Sequence, residues 1–500
     1  MITQMEIENF KCFKNLQTIQ LRPLTLIYGK NSSGKSSIID AINLRAGRID
    51  STEMNRYVYG QKIDELFCLG FTYDAIKTNE KNWYACTKKE HRSVVKLGDS
   101  LEDKTSHKDS DNDEDTHYNA GGKKCRLELK GEFFIEVSGG VGDTDDVIIN
   151  DRHPIVTKIL KNQKIHGEGE CKKEIAEACN ELRQCQMWCN PNGAIWTIEN
   201  PGFVKGDEEY NLGDIAGEIC HIVQVIYEAT RDYWYVGNHL AYEPIRPVPP
   251  SGGYIPTSKN MDIYYGGMSH YELLKLFKQR ELLEKVNGSL KTIGVNYNVT
   301  PMKIDIGENL KKEHGAEILD KKIDHSKDAI QWLTASDMIN DWHNGQINKL
   351  ALHDTKLGLD LNFEDVGSGV SQVLPLLIAL ADNKNKMITL RQPELHLHPA
   401  MQTDLADVFI DAALGENRNQ LIIETHSEHL LLRVLRRVRE TTEGKINNSC
   451  TAVKPEDVAV LYVQQTAEGS NVIQIPITPD GEFENKWPEG FFNERAQELF

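Results

Sequence analysis

Four short stretches carry the residues able to do chemistry. GKNSSGKS, residues 29–36, follows a short apolar strand pattern and runs into a helical one. Gly29 and Gly34 let the backbone curl until its amides face an anion. Lys35 reaches outer phosphates, and the Ser36 hydroxyl is placed for magnesium. Asn31, Ser32, Ser33 and Ser37 complete the loop, and the helix that starts there adds its N-terminal dipole. GSGVSQVLPLL, residues 367–377, sets Ser368, Gly369, Ser371 and Gln372 at a helix start, which serves either an anion or only the helix cap. TLRQPELHLHPA, residues 389–400, ends an apolar strand on Arg391 and Gln392. QLIIETHSEH, residues 420–429, ends a buried strand pattern on Glu424, Thr425 and His426. Ligands of open α/β sheets bind at such strand ends, although a loop histidine with a local hydrogen bond gives the same pattern.

The elements around these stretches must present them. MITQMEIENF alternates and LRPLTLIYG is short and apolar, so two strands precede the phosphate loop. Residues 98–122 are polar and acidic and lack the spacing of a calcium loop, which predicts a mobile, solvated loop. CRLELKGEFFIEV and RDYWYVGN are predicted strands. KKEIAEACNELRQCQMW and NLGDIAGEICHIVQVIYEAT are predicted helices. YEPIRPVPPSGGY reads as a boundary. From about 260 to 350 the pattern is mostly helical and charged, as in HYELLKLFKQRELLEKVNGSLKTIG, and predicts an inserted lid or arm. The last third alternates strand and helix, the signature of a mainly parallel sheet. The resulting division is residues 1–240, 241–355 for the insertion, and 356–500.

Composition narrows the classes. A net charge of −18 argues against a chain that coats nucleic acid by itself, because phosphate neutralisation needs a basic surface. No stretch of eighteen apolar residues and no signal peptide pattern appear, so a cytoplasmic location and no membrane are expected. The 10 cysteines form no framework and are read as reduced. Cys171, Cys179, Cys185 and Cys189 lack the short pairing of a zinc site, and His396 and His398 alone supply only two ligands. Arg433, Arg436, Arg437 and Arg439 form a basic row in LLLRVLRRVRE. Such a row either faces a phosphate backbone or is solvated or paired with acids.

Taken in order, the phosphate loop, SGVSQ, QPELHLHP and ETHSEH resemble the ABC-type ATPase heads of the SMC, RecF and OLD-like group, most of all the bacterial AAA-15-type ATPases. Within that group RQPELHLHP is similar to the ATPase subunit of Septu anti-phage systems, also found with some retrons. The resemblance implies an α/β head with a mixed sheet and helices on both faces, plus the inserted helical lid or arm. It implies ATP bound between two copies in a dimer or higher oligomer. Lys35 and Ser36 of one copy would hold the triphosphate and any magnesium. Ser368, Gly369, Ser371 and Gln372 belong to the signature region of the other. His426 takes the place of the switch histidine. The implied partner is an HNH-type nuclease, with DNA contacted mainly through it.

The pattern breaks at one place. Such heads end the strand in Asp-Glu-Pro or Glu-Gln-Pro, and alignment on Pro393 puts Arg391 on the magnesium acid and Gln392 on the catalytic glutamate. A guanidinium cannot ligate a cation, although it can set its own positive charge near phosphates. Gln392 can orient a water but cannot take its proton, and loss of a general base costs about 10²–10⁴-fold. Weak or absent hydrolysis is therefore the expectation. The alternative is an active, DNA-associated ATPase in the manner of SMC and RecF proteins, with a carboxylate from elsewhere.

Overall fold

The computed structural model describes residues 1–45, 57, 59–61, 67–73, 91–97, 123–129, 132–139, 146–165, 167–184, 187–189, 196–198, 215–217, 219, 222, 239–246, 275–305, 346–448, 450–484 and 487–488. The acidic stretch 98–122 and the predicted strand at RDYWYVGN lie outside these residues.

In chain order the elements are β1 (Ile2–Glu8), β2 (Gln17–Gln20), β3 (Leu24–Gly29), α1 (Lys35–Arg45), β4 (Phe67–Tyr73), β5 (His91–Leu97), β6 (Lys123–Leu129), β7 (Glu132–Gly139) and β8 (Asp146–Ile149). Then come α2 (Pro154–Asn162), α3 (Glu168–Gln184), β9 (Met187–Cys189), β10 (Trp196–Ile198), β11 (His239–Tyr242), α4 (Arg280–Thr292), β12 (Tyr297–Asp305), β13 (Gln346–Asp354) and β14 (Leu359–Leu361). The last third holds α5 (Ser368–Asp382), β15 (Met387–Arg391), α6 (Pro399–Leu414), β16 (Gln420–Glu424), α7 (Glu428–Thr442), β17 (Val458–Thr466) and β18 (Gly469–Gln474). The class is α/β with mixed strand directions, as expected.

Two compact units divide the chain. One comprises Met1–Arg22, Gly29–His239 and Leu461–Gln474, and the other Pro23–Tyr28, Leu240–Val460 and Ile475–Phe500. The first is built on an antiparallel sheet in the order β2-β1-β4-β5-β6-β7-β8, and it also holds the phosphate loop and the β17–β18 hairpin.

The second unit carries the strands in the order β11-β15-β16-β3. β16 pairs in parallel with β15 and with β3, so Glu424 stands level with Arg391 on one side and Ile27 on the other. Every residue of β16 is buried, which explains its unbroken apolar run before Glu424. Helix α6 starts where Pro399 needs no donor and His398 Nδ1 accepts the Ala400 N–H. Helix α7 starts on Ser427, whose Oγ accepts the Leu430 N–H at 3.1 Å. It buries Leu430, Leu431, Val434, Leu435 and Val438 along one face.

Among the described residues of 241–355, helix and strand both occur. The helical reading holds over α4, where Leu282, Val286 and Leu290 are buried at every fourth position. Residues 297–305 and 346–354 instead pair as nine-residue antiparallel strands, with β14 continuing the sheet. Pro301 is tolerated because β12 is an edge strand.

Candidate functional site

In the phosphate loop, backbone geometry demands the glycines. Gly29 and Gly34 have φ of 149° and 110°. A Cβ at Gly29 would lie 2.4 Å from the Val463 carbonyl oxygen, and one at Gly34 would lie 2.3 Å from Cys12 Sγ. Lys35 is buried and folded back, its Nζ donating to the carbonyls of Gly29 at 3.0 Å and Lys30 at 2.8 Å. Ser470 Oγ holds the Ser33 carbonyl at 2.6 Å from below. Asn31, Ser32 and Ser36 are exposed, and Ser37 is half-buried beside Cys12. The buried Ser33 Oγ has no hydrogen-bond partner among the described residues. A loop that curls around exposed polar groups, with an ammonium resting on its own carbonyls, fits a phosphate group that would take over those bonds.

The signature turn is divided between exposed and buried residues. Ser368 is exposed at the first turn of α5, and its N-cap Gly367 gives no side-chain bond. Gly369 lies against the loop after β15, where a Cβ would come 2.6 Å from the His396 carbonyl oxygen. Ser371 and Gln372 are buried and bonded within the same unit. Ser371 is buried and its Oγ donates to the Phe363 carbonyl at 2.8 Å. The Gln372 carboxamide is taken up at both ends by one backbone unit. Its Oε1 accepts the Arg246 N–H at 2.7 Å and its Nε2 donates to the Arg246 carbonyl at 2.9 Å. Both side chains are bonded within the unit and help to place the helix.

Arg246 comes from the YEPIRP turn. Its guanidinium donates to the Gln372 carbonyl at 3.2 Å and to the Arg391 carbonyl at 3.3 Å, tying α5 to the end of β15. Burial lowers its pKa to about 10, against the opposing pull of Glu394, Tyr242 and Glu243.

Arg391 is held between acids. Its guanidinium donates to Glu243 Oε1 at 3.1 Å and Oε2 at 3.2 Å, and its Nε lies 4.0 Å from Glu424 Oε2. The charge expected to point at phosphates is thus matched by two carboxylates of the same unit. Neither 391 nor 392 carries an acid, and the two carboxylates beside them are engaged by Arg391. These strand ends do not fit magnesium in the usual manner.

Gln392 adopts φ of 43°, a left-handed conformation uncommon for a residue with a Cβ. Its N–H donates to the Glu424 carbonyl at 2.8 Å, which fixes it to the end of β16. His426 is half-buried, and its N–H donates to Glu394 Oε1 at 2.7 Å. The loops carrying Gln392 and His426 are thus brought together. Burial raises the Glu394 pKa, partly offset by the bonds from the His426 backbone and Thr425 and by Arg246. Sequence reasoning missed Glu243, 148 residues from Arg391, for which no local signal exists. It also missed the role of Glu394, whose place after the proline suggests a side chain facing elsewhere.

Three arginines of the basic row on α7 face acids, and the fourth, Arg439, is exposed. Arg433 pairs with Asp404 at 2.8 Å and with Asp407. Arg437 pairs with Asp407 at 2.7 Å and Glu440 at 2.6 Å, and Arg436 with Glu440 at 2.6 Å. Hydrogen bonding to Asp407 raises the Arg437 pKa above its ordinary value. Among the described residues no group of three or more His, Cys, Asp or Glu is placed to hold a metal, and no helix is long and apolar enough to cross a membrane. His396 is exposed, and His398 is occupied as the cap of α6.

The chain matches the family described as AAA_15, AAA ATPase domain, over residues 1–186 and 270–431. It belongs to that family, whose ATPase domain implies nucleotide binding. Residues 453–500 match a second family, described as a protein of unknown function, DUF3696. No curated protein matches the chain. Among solved structures it is similar to an SMC head bound to the C-winged helix domain of ScpA, at TM-score 0.45 and 11% identity, covering 95% of this chain and 97% of that one. It is also similar to the SMC head domain from Thermotoga maritima, at TM-score 0.34 and 8% identity, covering 95% and 99%. The Pyrococcus furiosus SMC head with an extended coiled coil, bound to the C-terminal domain of ScpA, gives TM-score 0.36 and 11% identity, covering 100% and 98%. At these scores the likeness defines neither partner nor activity.

Proposed function

We propose that this chain is a nucleotide-binding subunit that assembles through ATP, hydrolyses it slowly or not at all, and scaffolds a partner nuclease in anti-phage defence. The observation that carries the slow hydrolysis is the strand end. Arg391 and Gln392 replace both acids, and Arg391 is bonded to Glu243 beside Glu424. No carboxylate at 391 or 392 takes the proton of an attacking water, and Gln392 can only orient it.

In this reading the residues of the loop divide the work. Lys35 exchanges its two carbonyl partners for phosphate oxygens, Ser36 and the loop amides bind beside it, and His426 keeps the role of switch histidine that the resemblance implies. Ser368 and Gly369 meet the nucleotide of a second copy, so ATP acts as a clamp between copies. Magnesium at Ser36 is secondary. The HNH-type nuclease and the Septu or retron setting rest on the resemblance of RQPELHLHP. Delegation of DNA contact agrees with the net charge of −18.

Mass measurement of the purified chain with and without ATP tests assembly: a dimer or higher oligomer formed only with ATP supports it, and an unchanged mass refutes it. Co-purification with an HNH nuclease encoded beside it tests the partner. The rival reading, a DNA-associated ATPase, loses support from the α7 row, because Arg433, Arg436 and Arg437 are paired with acids of the same chain. Salt-dependent DNA binding by the isolated chain would favour that rival.

A further inference from the structure

The loops that carry Gln392 and His426 are joined by a side chain that neither motif assigns. Glu394 is buried to 8% exposure, and its Oε1 accepts the His426 N–H at 2.7 Å. Its other oxygen has no hydrogen-bond partner among the described residues. A carboxylate is costly to bury. The compensation here is a short, charge-assisted bond from the His426 amide, together with hydrogen bonding to Thr425 and the attraction of Arg246. The neighbours of His426 are fixed by other means. Thr425 N–H donates to the Ile27 carbonyl at 3.1 Å. Ser427 N–H donates to Thr425 Oγ1 at 3.0 Å, Ser427 Oγ donates to Gln402 Oε1 at 2.6 Å, and the Ser427 carbonyl accepts the Tyr28 hydroxyl at 3.1 Å. The amide of His426 depends on Glu394 from a different loop. That loop is itself pinned by the Gln392 N–H on the Glu424 carbonyl and by the Leu397 N–H on the Glu394 carbonyl at 3.0 Å.

We propose that Glu394 is a positioning residue for His426: its carboxylate holds the His426 amide and thereby sets the direction in which the imidazole leaves the end of β16. The inference rests on the reading above in one respect, that His426 is the switch histidine. Because the Gln372 and Arg391 carbonyls share the Arg246 guanidinium, and Arg246 attracts Glu394, the signature helix and the switch loop hang on one buried polar cluster. A shift at His426 is then felt at the first turn of α5 within the same unit.

The test uses the full chain and the variants Glu394→Ala, Glu394→Gln, His426→Ala and Glu394→Ala/His426→Ala. Hydrogen–deuterium exchange of the nucleotide-free protein reads the amide directly. Glu394→Ala should lose the protection of the His426 amide while the Thr425 and Ser427 amides keep theirs, and Glu394→Gln, which keeps a carbonyl acceptor, should retain it at all three. Equal protection in wild type and Glu394→Ala overturns the proposal, as does equal loss in both Glu394 variants. Calorimetry with ATP and with ADP reads the consequence. Glu394→Ala should lower the preference for ATP over ADP about tenfold, to the level of His426→Ala, with no further loss in the double variant. An unchanged preference in Glu394→Ala, or additive losses, overturns it. If wild type binds no ATP, the nucleotide reading fails and the exchange measurement alone decides the role of Glu394.

Discussion

Replacing Arg391 with Asp tests whether that arginine balances the charge at the strand ends. Arg391 donates to both oxygens of Glu243 and lies 4.0 Å from the Glu424 carboxylate, whose side chain is 6% exposed. A unit pair at that distance is worth roughly 4 kcal/mol at an effective dielectric near 20. Desolvation of the guanidinium cancels part of this, and the more exposed Glu243 adds little. Aspartate removes the attraction and adds a third negative charge. The net loss should be about 3 kcal/mol. At a slope of about 2–3 kcal/mol per molar urea, the unfolding midpoint falls by about 1 M. The assay is urea unfolding in EDTA and again with magnesium. Magnesium should return part of the loss in the variant, where three carboxylates converge, and leave wild type unmoved. Equal midpoints for wild type and Arg391→Asp in EDTA would refute the charge argument.

That cluster also marks the limit of what was legible in the sequence. The phosphate loop is readable because its chemistry is local: Gly29, Gly34 and Lys35 lie within seven residues, and each has a backbone or charge reason for its place. The α/β class, β16 and α7 follow equally from local patterns of burial and capping. The carboxamide of Gln372 bonds to a backbone 126 residues earlier, and no spacing rule announces such a partner. Glu243 escaped for the same reason. Residues 297–305 and 346–354 were read with their helical surroundings. Their strand character comes from pairing with each other across 40 intervening positions, and local propensity does not report it. The α7 arginines left two readings open until Asp404, Asp407 and Glu440 were placed beside them.

Further outcomes follow from single contacts. Gly34→Ala should abolish ATP binding measured by calorimetry, since its φ of 110° and the 2.3 Å approach of Cys12 Sγ leave no room for a methyl group. Gln372→Ala should destabilise the chain by about 1–3 kcal/mol in urea unfolding, because it strands the buried Arg246 N–H and carbonyl. Burial raises the Glu394 pKa, so the folded state holds that proton more tightly than the unfolded one. The resulting contribution to stability is present below the ordinary glutamate value of about 4.3 and is lost as pH rises from there through the raised folded value. Glu394→Gln should flatten that part of the stability profile, and an unchanged profile would contradict the assignment.

The most direct test of the central claim is phosphate release from the full chain saturated with ATP and magnesium, with bound nucleotide quantified in the same sample. Stoichiometric ATP with release at the background rate is the predicted result. Sustained turnover at about 1 s⁻¹ or faster, within the ordinary enzyme range, would contradict it.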